Sequence, residues 1–276
     1  MGKVIACVNE KGGVAKTTTV KNVAAGFVSR GKKVLVVDLD PSFNLTKSLG
    51  MGNKGINGSI CDILDRSIAY EDIPEGYGIH HQEEGIDIVT SSEKLREYEN
   101  KLFLAPQREI VLRRYMETIR EKYDYIFIDC LAGLGILVVN ALFCADSLII
   151  PLAPQFLSVE AMQNLYTNIA MIRRQNGTNV KPEVLGTVFT MVRTNTNNDK
   201  NVMKWVKDTY SQGANFFKVY IPSLVKYSES DLDGHSIYGY EPNSPAAMIY
   251  SELVNEIFER LGEDAEPKAG ENVRRG

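Results

Sequence analysis

Two lysines, two threonines and two glycines crowd into ten residues near the start of the chain, Asn9-Glu10-Lys11-Gly12-Gly13-Val14-Ala15-Lys16-Thr17-Thr18. The run follows a short apolar segment, Val4-Ile-Ala-Cys-Val8, and opens a helical pattern over about 16–30. A strand, a glycine-rich turn and a helix start in that order make a phosphate cradle. Glycine lets the backbone curl until its N–H groups point at phosphate oxygens, and the helix N-terminus adds positive potential. The backbone of Gly12, Gly13, Val14 and Ala15 would line a polyphosphate. Lys16 would reach its β- and γ-phosphates, the Thr17 hydroxyl would ligate Mg²⁺, and Thr18 would bond the α-phosphate. The strict pattern GxxxxGK followed by Ser or Thr is not met, because Glu10 and Ala15 occupy its two glycine positions. Taken alone, the run also suits a glycine-rich strand–helix turn with two surface lysines.

Two further segments add the acid chemistry a phosphate site needs. Val37-Asp38-Leu39-Asp40-Pro41 places two carboxylates on one face of an extended segment that Pro41 stops. Tyr125-Ile-Phe-Ile-Asp129 is an apolar strand ending in a carboxylate. Beside Mg²⁺ such a group has a use, since the metal compensates a charge that burial disfavours.

These residues need a scaffold, and the hydrophobic pattern supplies one. Short apolar runs at 4–8, 33–38, 86–89, 125–129, 148–151, 184–190 and 216–220 alternate with helical patterns at about 16–30, 107–121, 134–144, 158–174, 199–210 and 244–260. Nearly continuous β-branched and aromatic runs indicate strands buried on both faces. The alternation predicts an α/β fold with a mostly parallel twisted sheet and helices on both faces. Ligands then sit beyond the carboxyl ends of the strands, where Asp38, Asp40 and Asp129 fall. Residues 50–82 read as glycine-rich and irregular, with a short helix at about 59–65. A single domain over 1–261 and a disordered polar tail over 262–276 are expected.

Composition narrows the function classes. The 276 residues carry 31 Lys+Arg against 35 Asp+Glu, a net charge of −4, with 44% hydrophobic and 24% charged residues. That balance excludes a generally basic nucleic-acid binder but not a local basic patch. No stretch carries the roughly 18 apolar residues of a membrane span, and the opening residues lack the features of a signal peptide. Cys7, Cys61, Cys130 and Cys144 form no CxxC pair and no zinc spacing, as expected of reduced thiols in the cytoplasm.

The motifs together resemble the ParA/MinD family of P-loop ATPases, whose deviant Walker A loop reads KGGxGKT followed by Ser or Thr. Lys11 matches the signature lysine, which in that family crosses a dimer interface to the partner's nucleotide, and Ala15 stands where the family has glycine. Asp38 to Asn44 resembles the DxDPQxN switch, with Ser42 for Gln; the resemblance gives Asp40 the attacking water and Asp38 a water-mediated hold on Mg²⁺. Asp129 matches the Walker B carboxylate, and Leu131-Ala132-Gly133 replaces the usual Pro-Pro-Ser that follows. Thr190-Met191 and Tyr220-Ile221-Pro222 resemble the segments that flank the adenine, so Met191 and Pro222 join the nucleotide-binding candidates. The order of motifs is that of the short ParA proteins called Soj, without an N-terminal helix-turn-helix. The resemblance implies a single-domain P-loop NTPase fold, ATP and Mg²⁺ as cofactors, homodimerisation on ATP binding, nonspecific DNA binding by the dimer, and slow hydrolysis stimulated by a ParB-like partner. DNA partition at the nucleoid is the implied function. Arg193, Lys200, Lys204, Lys207 and Lys226 are the DNA-binding candidates; the three α-helically spaced lysines also suit an ordinary solvated helix face. A positioning scaffold with little hydrolysis and a MinD-like membrane ATPase are the alternatives. Glu252, Glu256, Glu259, Glu263, Asp264, Glu266 and Glu271 argue against the second, because a membrane-binding C-terminal helix needs basic residues.

Overall fold

The computed structural model describes residues 1–52, 58–177, 182–210 and 214–263. The expected disordered tail lies, from residue 264 onward, outside the described residues. The elements run β1 (Lys3–Cys7), α1 (Lys16–Val28), β2 (Val34–Leu39), α2 (Asn44–Ser48), α3 (Ile60–Ala69), β3 (Ile79–His81), β4 (Ile86–Val89), α4 (Tyr98–Leu104), α5 (Val111–Ile119), β5 (Tyr125–Cys130), α6 (Ile136–Cys144), β6 (Ser147–Leu152), α7 (Phe156–Asn176), β7 (Glu183–Val192), α8 (Asn197–Tyr210), β8 (Phe216–Pro222), α9 (Val225–Asp233), α10 (Ile237–Tyr240) and α11 (Pro245–Leu261).

The eight strands form one sheet in the order β3-β4-β2-β5-β1-β6-β7-β8. Every pairing is parallel except that of β3 with β4. The chain builds outward on one side of β1 as far as β3, returns to insert β5 next to β1, and then builds outward on the other side. Such a reversal of direction opens a crevice at the carboxyl ends of the central strands.

Alternation along each strand explains why both faces are covered. Val4, Ala6, Leu35, Val37, Ile126 and Ile128 pack in one core with residues of α3, α5, α6 and α7. Their neighbours Ile5, Cys7, Val34, Val36, Tyr125 and Phe127 pack in a second core with α1 and α11. Asp38 and Asp129 share the parity of that second set, so both project to the α1 side, and their Cα positions are register partners across β2 and β5. Parallel register thus carries two buried carboxylates to the crevice beside the start of α1.

The expected strands are all present, longer by a residue or more in most cases. The expected helix over 107–121 is α5 with short 3₁₀ turns on either side. Among the described residues, β3, α2, α4, α9 and α10 are additions to the sequence reading.

Candidate nucleotide site

The loop between β1 and α1 is bolted down by its own chain. Asn9, 1% exposed, donates from its side-chain amide to Pro151 O at 2.6 Å and accepts the Lys11 N–H at 2.9 Å. Thr190 Oγ1, at the end of β7, donates to Val14 O at 2.9 Å. Gly13 is in the left-handed region (φ 69°), and so is Ala15 (φ 60°, ψ 36°). Ala15 is the N-cap of α1, and that helix has no side-chain cap and no acidic residue in its first turn. Its first N–H groups therefore await an anion.

A left-handed L-residue costs about 1–2 kcal/mol, and glycine returns part of that gain through its freer unfolded chain. Ala15→Gly should therefore raise stability by about 0.5–1 kcal/mol, seen as a rise of about 1–3 °C in the calorimetric unfolding midpoint. A fall would mean that the methyl packs more than it strains.

Lys16 is buried, and its Nζ donates to Asn9 O at 3.3 Å and Lys11 O at 3.2 Å. The ammonium thus lies inside the curl of the loop. Lys11 turns to its own chain: its Nζ donates to Gln155 Oε1 at 2.7 Å and Ser158 Oγ at 2.9 Å, where α7 begins. Reaching another subunit requires breaking both bonds.

Thr17 Oγ1 donates to Asp129 Oδ2 at 2.7 Å. The other oxygen, Asp129 Oδ1, is buried with no partner among the described residues. Burial pushes Asp129 well above the ordinary carboxylate range, and the charge of Asp38 adds to the effect. Asp38 itself is pushed up to about 6 by burial, against hydrogen bonds from Thr46 and from the Asp40 amide that pull it down. Two adjacent buried carboxylates, one with a free oxygen beside a hydroxyl, fit a hard divalent cation. Among the described residues no group of three or more His, Cys, Asp or Glu is arranged for a metal. A Mg²⁺ site that draws on one carboxylate, one hydroxyl, phosphate and water needs none.

Asp40 lies just past β2, its Oδ1 accepting the Ser42 N–H at 2.8 Å. Thr17 and Thr18 line a cleft of about 440 Å³ with Asn44, Lys47, Ser48, Ser228, Asp231 and Leu232. Met191, half-exposed with φ 54°, precedes Val192, the register partner of Pro222. Met191 thus falls where the β7–β8 register shifts, next to the partner of Pro222 and one residue from the Thr190–Val14 contact.

Over residues 2–182 the chain matches the model of a family described as an AAA domain. It is 34% identical to the sporulation initiation inhibitor protein Soj of Bacillus subtilis over 93% of this chain and 98% of that one. The chain belongs to the ParA/Soj family of P-loop ATPases. It is also 32% identical to the chromosome-partitioning ATPase Soj of Treponema pallidum, over 95% of this chain and all of that one. Among solved structures it superposes with a TM-score of 0.78, at 26% identity, on cobyrinic acid a,c-diamide synthase from Mycobacterium smegmatis with bound ADP and magnesium, covering 98% of this chain and 100% of that one.

The five DNA-binding candidates taken from the ParA/Soj resemblance are not equivalent. Lys200 and Lys204 are exposed on α8. Lys207 is half-buried, its Nζ 5.8 Å from the centre of the Phe189 ring. Arg193 is tied to Asp199 at 2.9 Å, and Lys226 sits between Glu229 at 3.1 Å and Glu241 at 2.7 Å. Sequence reading missed Asn9, Thr46, Ser91 and Ser158. The available signal was polar type next to a buried run, which is too common to select them.

Proposed function

We propose that this chain is a switch ATPase that pairs with a second copy when ATP and Mg²⁺ are bound and partitions DNA. As a pair it binds duplex DNA without sequence readout, and a ParB-like partner stimulates its slow hydrolysis in the cytoplasm, at the nucleoid. The observation that carries the reading is the free Asp129 Oδ1 beside Thr17 at the uncapped start of α1, with Lys16 curled inside the loop. The loop amides and Lys16 hold the phosphates. Thr17 and Asp129 would hold Mg²⁺, with Asp38 behind Asp129, and the ion neutralises phosphate charge when bound. Lys11, released from Gln155 and Ser158, reaches the nucleotide of the second copy. Met191 and Pro222 flank the base. Asp40 orients the attacking water, and loss of the γ-phosphate undoes the pairing. The name of the Treponema pallidum relative, a chromosome-partitioning ATPase, supports partition as the use of this cycle. No helix among the described residues is long and apolar enough to cross a membrane.

Pairing doubles each basic patch, which matters because phosphate contacts act together. The test is DNA binding by the full chain in ATP, ADP and no nucleotide, with light scattering for the pairing. Mobility shift on an arbitrary duplex should appear only with ATP, and reversing Lys200 and Lys204 together to Glu should weaken it about tenfold or more. Lys226→Glu should weaken it less, because Lys226 must first leave Glu229 and Glu241; it should leave pairing intact. DNA affinity indifferent to nucleotide would defeat the switch.

A further inference from the structure

The turn after β2 is gripped from the core by residues to which neither the motifs nor the relatives give a role. Asp38 Oδ2 accepts both the N–H and the hydroxyl of Thr46, at 2.8 and 2.7 Å. Asp38 Oδ1 accepts the Asp40 N–H at 3.2 Å. The Thr46 hydroxyl, having donated to Asp38, accepts the Ser91 N–H at 3.0 Å. Ser91, just beyond β4, donates its own hydroxyl to Asp40 O at 2.9 Å. Asp38, Thr46 and Ser91 are all buried. The Phe43 N–H also donates to Asp40 O, at 2.9 Å, in a turn held by a left-handed Phe43 (φ 44°).

We infer that Thr46 and Ser91 are positioning residues for Asp40. The relay Asp38–Thr46–Ser91–Asp40 fixes the Asp40 backbone at both its amide and its carbonyl, while its side-chain Oδ1 accepts the Ser42 N–H. Three elements meet there: the end of β2, α2 and the end of β4. A chain that needed only to satisfy a buried Asp38 would require donors to that carboxylate. It would not require the second step, in which Ser91 returns to the Asp40 carbonyl. A carboxylate that orients water gains from a fixed backbone, since a displacement of about 1 Å can cost a hundredfold in rate. The inference rests on the reading of Asp40 as the residue that orients the attacking water.

The test compares Thr46→Val, which keeps the shape and removes the hydroxyl, with Thr46→Ser, which keeps the hydroxyl. The full chain is assayed for ATP turnover with Mg²⁺ and for affinity toward a fluorescent nonhydrolysable ATP analogue. Thr46→Val should lower kcat by about 10- to 100-fold and change analogue affinity by less than about threefold. Thr46→Ser should return kcat to within about threefold of the parent, and Ser91→Ala should lower it by about 3- to 10-fold. Unchanged kcat in Thr46→Val, a parallel loss of analogue affinity, or no recovery by serine overturns the inference. If Thr46→Val does not fold, Ser91→Ala decides: parental kcat with intact affinity overturns it. Asp40→Ala separates the two levels. Lost turnover there with parental turnover in Thr46→Val rejects the relay alone, whereas parental turnover in Asp40→Ala rejects the reading beneath it.

Discussion

Replacing Lys16 with alanine should abolish ATP binding at working concentrations. Lys16 is 8% exposed and lies within the curl, bonded to two loop carbonyls. A buried cation facing polyphosphate contributes more than a surface lysine, because removing it strands the opposing charge. Breaking such a pair costs about 3–5 kcal/mol, which is about 150- to 5,000-fold in Kd. Lys16 also offsets the charge of Asp129, which lies beside it. Its loss therefore leaves the acid cluster less compensated even without nucleotide. Equilibrium titration with a fluorescent ATP analogue reads the effect. Lys16→Gln, which keeps a donor and drops the charge, should recover the loop bonds and not the affinity. Retained affinity in Lys16→Ala would remove the phosphate loop from the mechanism.

Lys16, Thr17 and Asp129 are legible from sequence because each belongs to a contiguous run whose strand or helix context is itself readable. The long parallel strands are legible for a related reason: burial on both faces leaves an uninterrupted apolar run, as in Tyr125–Cys130. β3 is not legible. Its three residues, Ile79-His80-His81, carry no period and form a strand only by pairing antiparallel with β4. α9 is hidden in Val225–Asp233, whose exposed, mixed sequence has no clean apolar stripe. The relay around Asp40 escapes for a topological reason. Thr46 and Ser91 are 45 residues apart, and Lys11 and Ser158 are 147 apart. Only the sheet order brings them together. Helical spacing puts Lys200, Lys204 and Lys207 on one face, yet the structure gives them different exposure. Spacing likewise does not reveal that Glu241, at the end of α10, engages Lys226. Charge availability is a property of neighbours, and neighbours distant in sequence are what a single sequence conceals.

Asp40→Ala should separate binding from hydrolysis. The substitution removes a carboxylate that accepts one backbone N–H, from Ser42 at 2.8 Å, on a half-buried turn. Losing that bond costs about 1 kcal/mol. The peptide at position 40 keeps its bonds to Asp38, Ser91 and Phe43, because they use its backbone. The phosphate loop is untouched, so ATP affinity should stay within about fivefold of the parent, given a perturbation of that size. Turnover should not survive, since positioned proton-transfer groups contribute about 10²- to 10⁴-fold. The protein would then hold ATP without discharging it, and the paired form should accumulate. Single-turnover phosphate release and light scattering in ATP read the two halves of the expectation. Parental turnover would exclude Asp40 from the chemistry. Slow turnover without accumulation of pairs would break the link between the triphosphate and assembly, leaving Lys11 with its own Gln155 and Ser158 in the ATP state as well.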